Sequence, residues 1–336
     1  MEWVRGRTIG HGSFASVSLA KPTNQNSDLP QLMAVKTCAA SHSASLMNER
    51  MILEQLKDCP DIISCFGDSM TVENGERLYN VALEYASGGA LSEKVKNRLS
   101  ENEIRRYTSS ILKGLLFIHQ SGFVHCDIKL QNVLLVCAAG KESVKIADFG
   151  LAKKMNVAGD GDSKYEIRGT PMYMAPETVV RGEQEAASDI WALGCLVTEM
   201  ITGKSVWNCS DVGALFMKIG IGAEIPEIPG KLSSDGKDFL GKCFLKDPRK
   251  RWTAEMLLNH PFIINSVAVA EETETKTEDQ ISPRDPFGFP DWESEKSCSI
   301  APEVGFPAIL PATRLGQLMT DEKPNWSVMN SWVKVR

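Results

Sequence analysis

The chain has 336 residues, 43% hydrophobic and 24% charged, which is ordinary for a soluble globular protein and long enough for two lobes and a tail. Of its net charge of −6, most sits beyond Ile264, where twelve Asp/Glu face seven Lys/Arg; the nearly neutral remainder excludes the basic stripe that nucleic-acid binding needs. Nine cysteines without a C-x-x-C pair read as reduced thiols, no secretory leader opens the chain, and Glu2 is not the glycine that N-myristoylation requires. The most apolar run, residues 190–201, is too short to span a bilayer and carries Glu199, so the expectation is an intracellular protein without a membrane partner.

In chain order, Trp3, Val4 and Ile9 alternate like a strand running into Gly10-His11-Gly12-Ser13-Phe14, and Val17 and Leu19 continue with period two. Residues 21–31 are polar with two prolines and read as a loop. Residues 32–37 read as a strand, and residues 45–57 as a helix with Leu46, Ile52, Leu53 and Leu56 on its apolar face. Two further strands are expected around 62–66 and 78–83, completing a small sheet with one principal helix. After Ser87-Gly88-Gly89 the pattern turns helical. Ser100 and Glu103 make a capping box, Ile104, Tyr107, Ile111, Leu115 and Ile118 recur at helical spacing, and Gly122 is placed to end the helix. Short strands are expected around 133–135 and 144–146, with helices dominating from there to Phe262. Beyond Ile264 the chain becomes acidic, then proline-rich, and carries Trp326 and Trp332. It lacks sustained periodicity and is expected to be largely disordered, or ordered only on docking.

Six motifs punctuate these elements in fixed order: the glycine-containing turn at 10–14, Ala34-Val35-Lys36, Asn48-Glu49, residues 125–132 (HCDIKLQN), Asp148-Phe149-Gly150 and Ala175-Pro176-Glu177. Each alone is weak; together they describe phosphate chemistry. Gly10 and Gly12 allow backbone N–H groups to approach the phosphates of ATP where a Cβ would obstruct, although two glycines alone equally suit a plain hairpin. Ile9, His11, Ser13, Phe14 and Ala34 join the nucleotide-contacting set, with Val17 packing on the base. Lys36 is expected to reach the α- and β-phosphates and Glu49 to hold it, Glu54 being the competing partner. Asp127 is the candidate base or hydroxyl-orienting group, and Lys129 would neutralise charge on the γ-phosphate. Asn132 and Asp148 are the candidate Mg²⁺ ligands.

On these motifs, residues 3–262 resemble a eukaryotic protein kinase domain. Residues 169–177 (GTPMYMAPE) are similar to the MEKK-like group of MAP kinase kinase kinases. The chain as a whole, with EWVRG at 2–6 and NWSV at 325–328, resembles small plant members of that group. The resemblance implies an α+β bilobal fold: an antiparallel-sheet N-lobe of about 3–83 with one main helix, a mostly helical C-lobe of about 88–262, and a flexible tail over 263–336. It implies Mg-ATP, Ser/Thr specificity (from Lys129 with Gly169-Thr170-Pro171), a MAP kinase kinase as substrate, and a cytoplasmic location with the nucleus as a second compartment. Plant relatives are associated with stress and abscisic-acid signalling. Carried over residue by residue, Leu83 takes the gatekeeper position, and Glu84 and Ala86 offer backbone groups to adenine. Thr170 bonds Asp127 and Lys129, Asp189 braces the catalytic loop, and Glu177 pairs with Arg251.

Two positions depart from the family pattern. Ala15 replaces the third glycine of the phosphate turn, and Cys126 replaces the arginine that usually binds a phosphorylated activation segment. A thiol cannot make that charge-assisted contact, so activity is expected to depend less on phosphorylation of Ser163, Tyr165 or Thr170, with Lys153, Lys154 or Arg168 as alternative cations. A redox role for Cys126 is weighed against the plainer reading of a small residue filling a gap. Rival functions are a pseudokinase scaffold and a Ste20-like kinase one tier higher. Phe287, Phe289, Trp292, Trp326 and Trp332 are candidate anchors for a tail-docking protein, equally readable as scattered linker aromatics, and Ser282-Pro283 fits a minimal proline-directed phosphosite.

Overall fold

A computed structural model describes residues 2–12, 15–24, 29–138, 140–155, 167–209, 211–222 and 224–265. The period-two stretches near the start form strands β1 (Trp3–His11), β2 (Ser16–Pro22) and β3 (Met33–Ala39). Helix α1 (Ala44–Gln55) follows and buries Leu46, Ile52 and Leu53, then β4 (Cys65–Glu73) and β5 (Glu76–Glu84) complete an antiparallel sheet of order β1-β2-β3-β5-β4. Central strand β3 is buried on both faces from Met33 to Cys38, which is why it reads as a continuous apolar run interrupted only by Lys36 and Thr37.

The two outer strands approach each other. Arg5 of β1 grips Glu73 of β4 with two nitrogens at 2.8 and 3.2 Å and also donates to Thr37 Oγ1 and Asn80 Oδ1, so the sheet is curled rather than flat. The strand expected around 62–66 lies further along. Ile62 and Ile63 instead cross to the helical lobe, where Ile62 bridges Ile146 and Ile63 N–H donates to the Ile146 carbonyl, and β4 begins at Cys65. The physical reason is that β4 is an edge strand. Its apolar side chains Met70 and Val72 face solvent, so no buried alternate face marks it in the sequence.

The larger lobe begins with the two-residue strand β6 (Gly89–Ala90) and short helix α2 (Leu91–Lys94), leading to α3 (Glu101–Gln120). Ser100 caps α3 and Glu103 closes the capping box, while Ile104, Tyr107, Ile111, Leu115 and Ile118 form its buried stripe. The helix stops before Gly122, whose φ of +79° suits only a residue without a Cβ. Strand β7 (Phe123–Val124) follows, then the hairpin β8 (Val133–Ala138) and β9 (Lys141–Ile146), then β10 (Lys153–Lys154), which pairs with β7. Helix α4 (Pro176–Arg181) precedes α5 (Ala186–Thr202), an almost wholly buried helix at the centre of the lobe. Gly194 lets α5 pack closely, since a Cβ there would stand 2.7 Å from the Phe244 ring. Short α6 (Val212–Phe216), a single π turn over Met217–Ile221, α7 (Ser234–Cys243) and α8 (Ala254–Leu258) complete the described chain. One apolar core continues from α1 through Phe149 to α5, so both walls of the cleft rest on the same packed interior. No described helix is long and apolar enough to cross a membrane, and the described cysteines are free thiols.

Candidate active site

An open cleft lies where β1, β2, β3 and β5 face the turn before β8 and the Asp148 segment. Its inner half is apolar, walled by Ile9, Val17, Ala34, Leu83, Ala86 and Leu134, a lining that suits a flat aromatic base. In the ladder Ala34 pairs with Leu83, and Glu84 ends β5. The Glu84 carboxylate turns away to Ser64 N–H and Lys145, so only its backbone is offered to the cleft. The outer half is polar and is lined by Gly12, Ala15, Lys129 and Gly150, with Lys36 and Asp148 shared between the halves. Gly12 N–H donates to the Ala15 carbonyl at 2.7 Å, which closes the β1–β2 turn tightly.

Lys36 is the hinge of the two halves. It projects from β3, is 9% exposed, and its Nζ lies 2.7 Å from Glu49 Oε2 and 2.9 Å from Asp148 Oδ1. Burial pulls its pKa down, but the two carboxylates outweigh burial and hold the ammonium well above the ordinary lysine value. For Asp148 burial pushes the pKa up and the Lys36 charge overcomes it, so its carboxyl stays ionised below the usual range. Glu49, 1% exposed, is pushed up by burial despite Lys36 and also accepts from Phe149 N–H at 3.3 Å. Glu54, the alternative partner, lies on the surface with Arg50 and Lys57. Two further side chains of α1 reach the segment after Asp148. Ser45 Oγ donates to the Gly150 carbonyl at 3.1 Å and Asn48 Nδ2 to the Ala152 carbonyl at 2.9 Å.

On the opposite wall, the chain between β7 and β8 is held by its own side chains. Asp189, at the start of α5, accepts from the backbone N–H groups of His125 and Cys126 at 2.9 and 3.0 Å. His125 Nδ1 accepts from Asp127 N–H, which places the ring proton on Nε2 against the Ala147 carbonyl, and the ring stacks edge-on against Phe149 with centroids 4.8 Å apart. Asn132 Nδ2 donates to the Asp127 carbonyl and to its Oδ2. Thr170 Oγ1 donates to Asp127 Oδ1 at 2.7 Å and accepts from Lys129 Nζ at 2.8 Å, while Lys129 pairs with Asp127 Oδ2 at 2.8 Å. Gly169 makes this approach possible: its φ is +103°, and a Cβ would fall 2.2 Å from the Cys126 carbonyl oxygen. Lower in the lobe, Arg251 grips buried Glu177 with two nitrogens at 2.6 and 3.0 Å.

The motif residues other than Ala175-Pro176-Glu177 thus converge on one cleft from elements far apart in sequence, with three qualifications. His11 is exposed rather than turned into the cleft, and Gly10 serves the β1–β2 ladder opposite Val17. Ser13, Phe14, Ser163, Tyr165 and every aromatic anchor of the tail lie outside the described residues. Cys126 and Asp148 both hold left-handed backbone, with φ of +67° and +66°, a strain that motif reading did not signal. Burial foremost, then the Asp189 charge, pushes the Cys126 thiol up against the pull of Lys153 and Arg168. The shift disfavours the thiolate, which supports the plainer reading of a small residue filling a gap. Sequence reasoning also missed the Ser45 and Asn48 tethers, although Asn48 stands in a motif; their mark is a pair of small polar residues early in an amphipathic helix.

A model of the protein kinase domain matches residues 3–263. The chain is 48% identical over the full length of both proteins to mitogen-activated protein kinase kinase kinase 20 of Arabidopsis thaliana. It is 42% identical to mitogen-activated protein kinase kinase kinase 17 of the same plant, over 78% of this chain and 70% of that one. To mitogen-activated protein kinase kinase kinase 18 it is 41% identical, over 79% and 78%.

Proposed function

The chain belongs to the protein kinase family, and from that premise we propose that it transfers the γ-phosphate of ATP to serine or threonine hydroxyls of a MAP kinase kinase. The observation that carries this reading is the convergence on one cleft of Lys36 with two carboxylates and of Asp127 with Lys129 and Thr170. The apolar half takes adenine, and Glu84 and Ala86 offer it backbone groups. Lys36, kept cationic and aimed by Glu49, contacts the α- and β-phosphates. Lys129 offsets charge that develops on the transferred group, and Asp127 accepts or orients the proton of the attacking hydroxyl.

Thr170 supports the last assignment. Its own hydroxyl already bridges the Asp127 carboxylate and the Lys129 ammonium, so these two groups accommodate an alcohol between an acceptor and a donor. The donor set also suits Mg²⁺: Asp148 is a hard anionic ligand, and Asn132 commits its amide nitrogen to Asp127, leaving the amide oxygen for a cation. When bound, the ion supplies charge neutralisation between the phosphates.

The protein stands upstream in a MAP kinase cascade. A place in stress or abscisic-acid responses belongs to the same proposal and rests on resemblance to plant relatives. The test is incubation of the purified chain with labelled ATP and a panel of catalytically inactive MAP kinase kinases and MAP kinase kinase kinases, with Lys36→Met as control. Label on activation-segment serines or threonines of at least one, lost with Lys36→Met, is the expected result. Label only on MAP kinase kinase kinases, or none at all, overturns the substrate assignment.

A further inference from the structure

Between α4 and α5 the chain makes a four-residue turn whose side chains reach further than its length suggests. Gln184 in this turn is 3% exposed. Its Oε1 accepts from Arg168 N–H at 3.0 Å, and its Nε2 donates to the Arg168 carbonyl at 2.7 Å. The side-chain amide therefore pairs with one residue's backbone as a neighbouring strand would, satisfying both polar groups of the buried amide. The next residue is Gly169, pressed against the Cys126 carbonyl, and the one after is Thr170, seated on Asp127.

The turn itself is rigidly mounted. Thr178 and Ser188 hydroxyls both bond the Glu183 carbonyl, Ser188 also bonds Glu177, and Glu177 is held by Arg251. Five residues beyond Gln184, Asp189 holds the backbone on either side of the His125–Cys126 bond. One stretch of six residues thus grips both partners of the Thr170–Asp127 contact, the threonine side through Gln184 and the aspartate side through Asp189. Gln184 lines the same small cavity as Cys126, Asp127 and Thr170.

We propose that Gln184 is a positioning residue for phosphoryl transfer: its amide clamps the Arg168 backbone and so sets Thr170 against Asp127 without a phosphate. The need for such a clamp follows from Cys126. A thiol at that position cannot tie the activation segment down through a charge-assisted contact, and at the other end of the same cavity the neutral amide holds the Arg168 backbone instead, through two ordinary hydrogen bonds. The clamp leaves the ATP side untouched, because no hydrogen bond links Gln184 to Lys36, Glu49 or Asp148 among the described residues.

The inference rests on the reading of Asp127 and Thr170 as the hydroxyl-side machinery, and wild-type transfer to casein, a generic serine-rich acceptor, checks that reading separately. Two variants test the clamp. Gln184→Leu removes both hydrogen bonds at similar volume, and Gln184→Glu turns a carboxylate oxygen onto the Arg168 carbonyl. Both are expected to lower kcat with casein by roughly tenfold, the loss of an aligned contact, and to lower the melting temperature through the lost hydrogen bonds of a buried amide, while ATP affinity stays close to wild type. A kcat within twofold of wild type in a folded variant overturns the proposal. So does a loss that falls in parallel on ATP affinity, which would make Gln184 merely structural. Wild-type failure to label casein would instead sink the reading of Asp127 and Thr170.

Discussion

Replacing Glu49 by glutamine separates the charge of the Lys36 contact from its shape. Both Glu49 oxygens accept in the wild type, Oε2 from Lys36 and Oε1 from Phe149 N–H. An amide has one acceptor oxygen, so whichever way the new side chain is turned its NH₂ faces a donor. Lys36 is not orphaned, because Asp148 still lies 2.9 Å away, and stability should fall by only about 1–3 kcal/mol, the range for one charge-assisted hydrogen bond. In a domain of this size that is roughly 2–10 °C in melting temperature. Activity should suffer more. With one carboxylate left, Lys36 is drawn toward Asp148 and away from the phosphate position, and loss of one preorganised cation typically costs about 10²–10³ in kcat. The assay is steady-state transfer to a MAP kinase kinase, alongside nucleotide binding by calorimetry and thermal melting. Transfer within threefold of wild type, with the variant folded, would refute the argument that Glu49 aims the lysine.

Arg251→Met should cost about 3–5 kcal/mol by stranding the buried Glu177 carboxylate, and adding Glu177→Leu should recover most of it; denaturant melts of the single and double variants decide. Burial holds the Cys126 thiol protonated through neutral and mildly alkaline pH, so iodoacetamide at pH 8 should alkylate exposed Cys137 well before Cys126, as peptide mapping would report. Phosphatase treatment of the active enzyme should leave most of its activity; near-total loss would show that a phosphate contact is required after all. Deletion of residues 266–336 should preserve transfer to casein and weaken capture of a cascade partner; collapse of transfer would make the tail part of the catalytic unit.

The site was legible in the sequence because its chemistry forces residue types that packing does not ask for. A lysine within buried β3, and an aspartate followed at fixed steps by lysine and asparagine, stand out against an apolar background. The helices α3 and α5 were legible through their buried stripe and apolar composition, and β3 and β5 through burial. What escaped were features paid for by neighbours rather than by the local pattern. Strand β4 alternates, but with its apolar residues Met70 and Val72 on the exposed face and Ser69, Thr71 and Glu73 turned inward, the reverse of the usual pattern. The left-handed backbone of Cys126 is held by a bond to Asp189, sixty-three residues away, and the Gln184 clamp uses an ordinary polar residue whose role exists only beside Arg168. The choice of Glu49 over Glu54 turned on helix facing, which Leu46, Ile52, Leu53 and Leu56 at helical spacing do encode, although Met51 beside them is exposed.

The bonds from Ser45 and Asn48 to the carbonyls of residues 150 and 152 join α1 to the segment after Asp148 by more than the ion pair. Swinging the helix outward must therefore break these ties as well as the lysine contact, so disengagement of the helix and unfurling of that segment form a single cooperative step. An inhibitor that expels Phe149 from beneath the helix must open this whole latch, whereas one confined to the adenine half leaves it shut. The two classes should differ in how fast they associate even where they bind equally tightly.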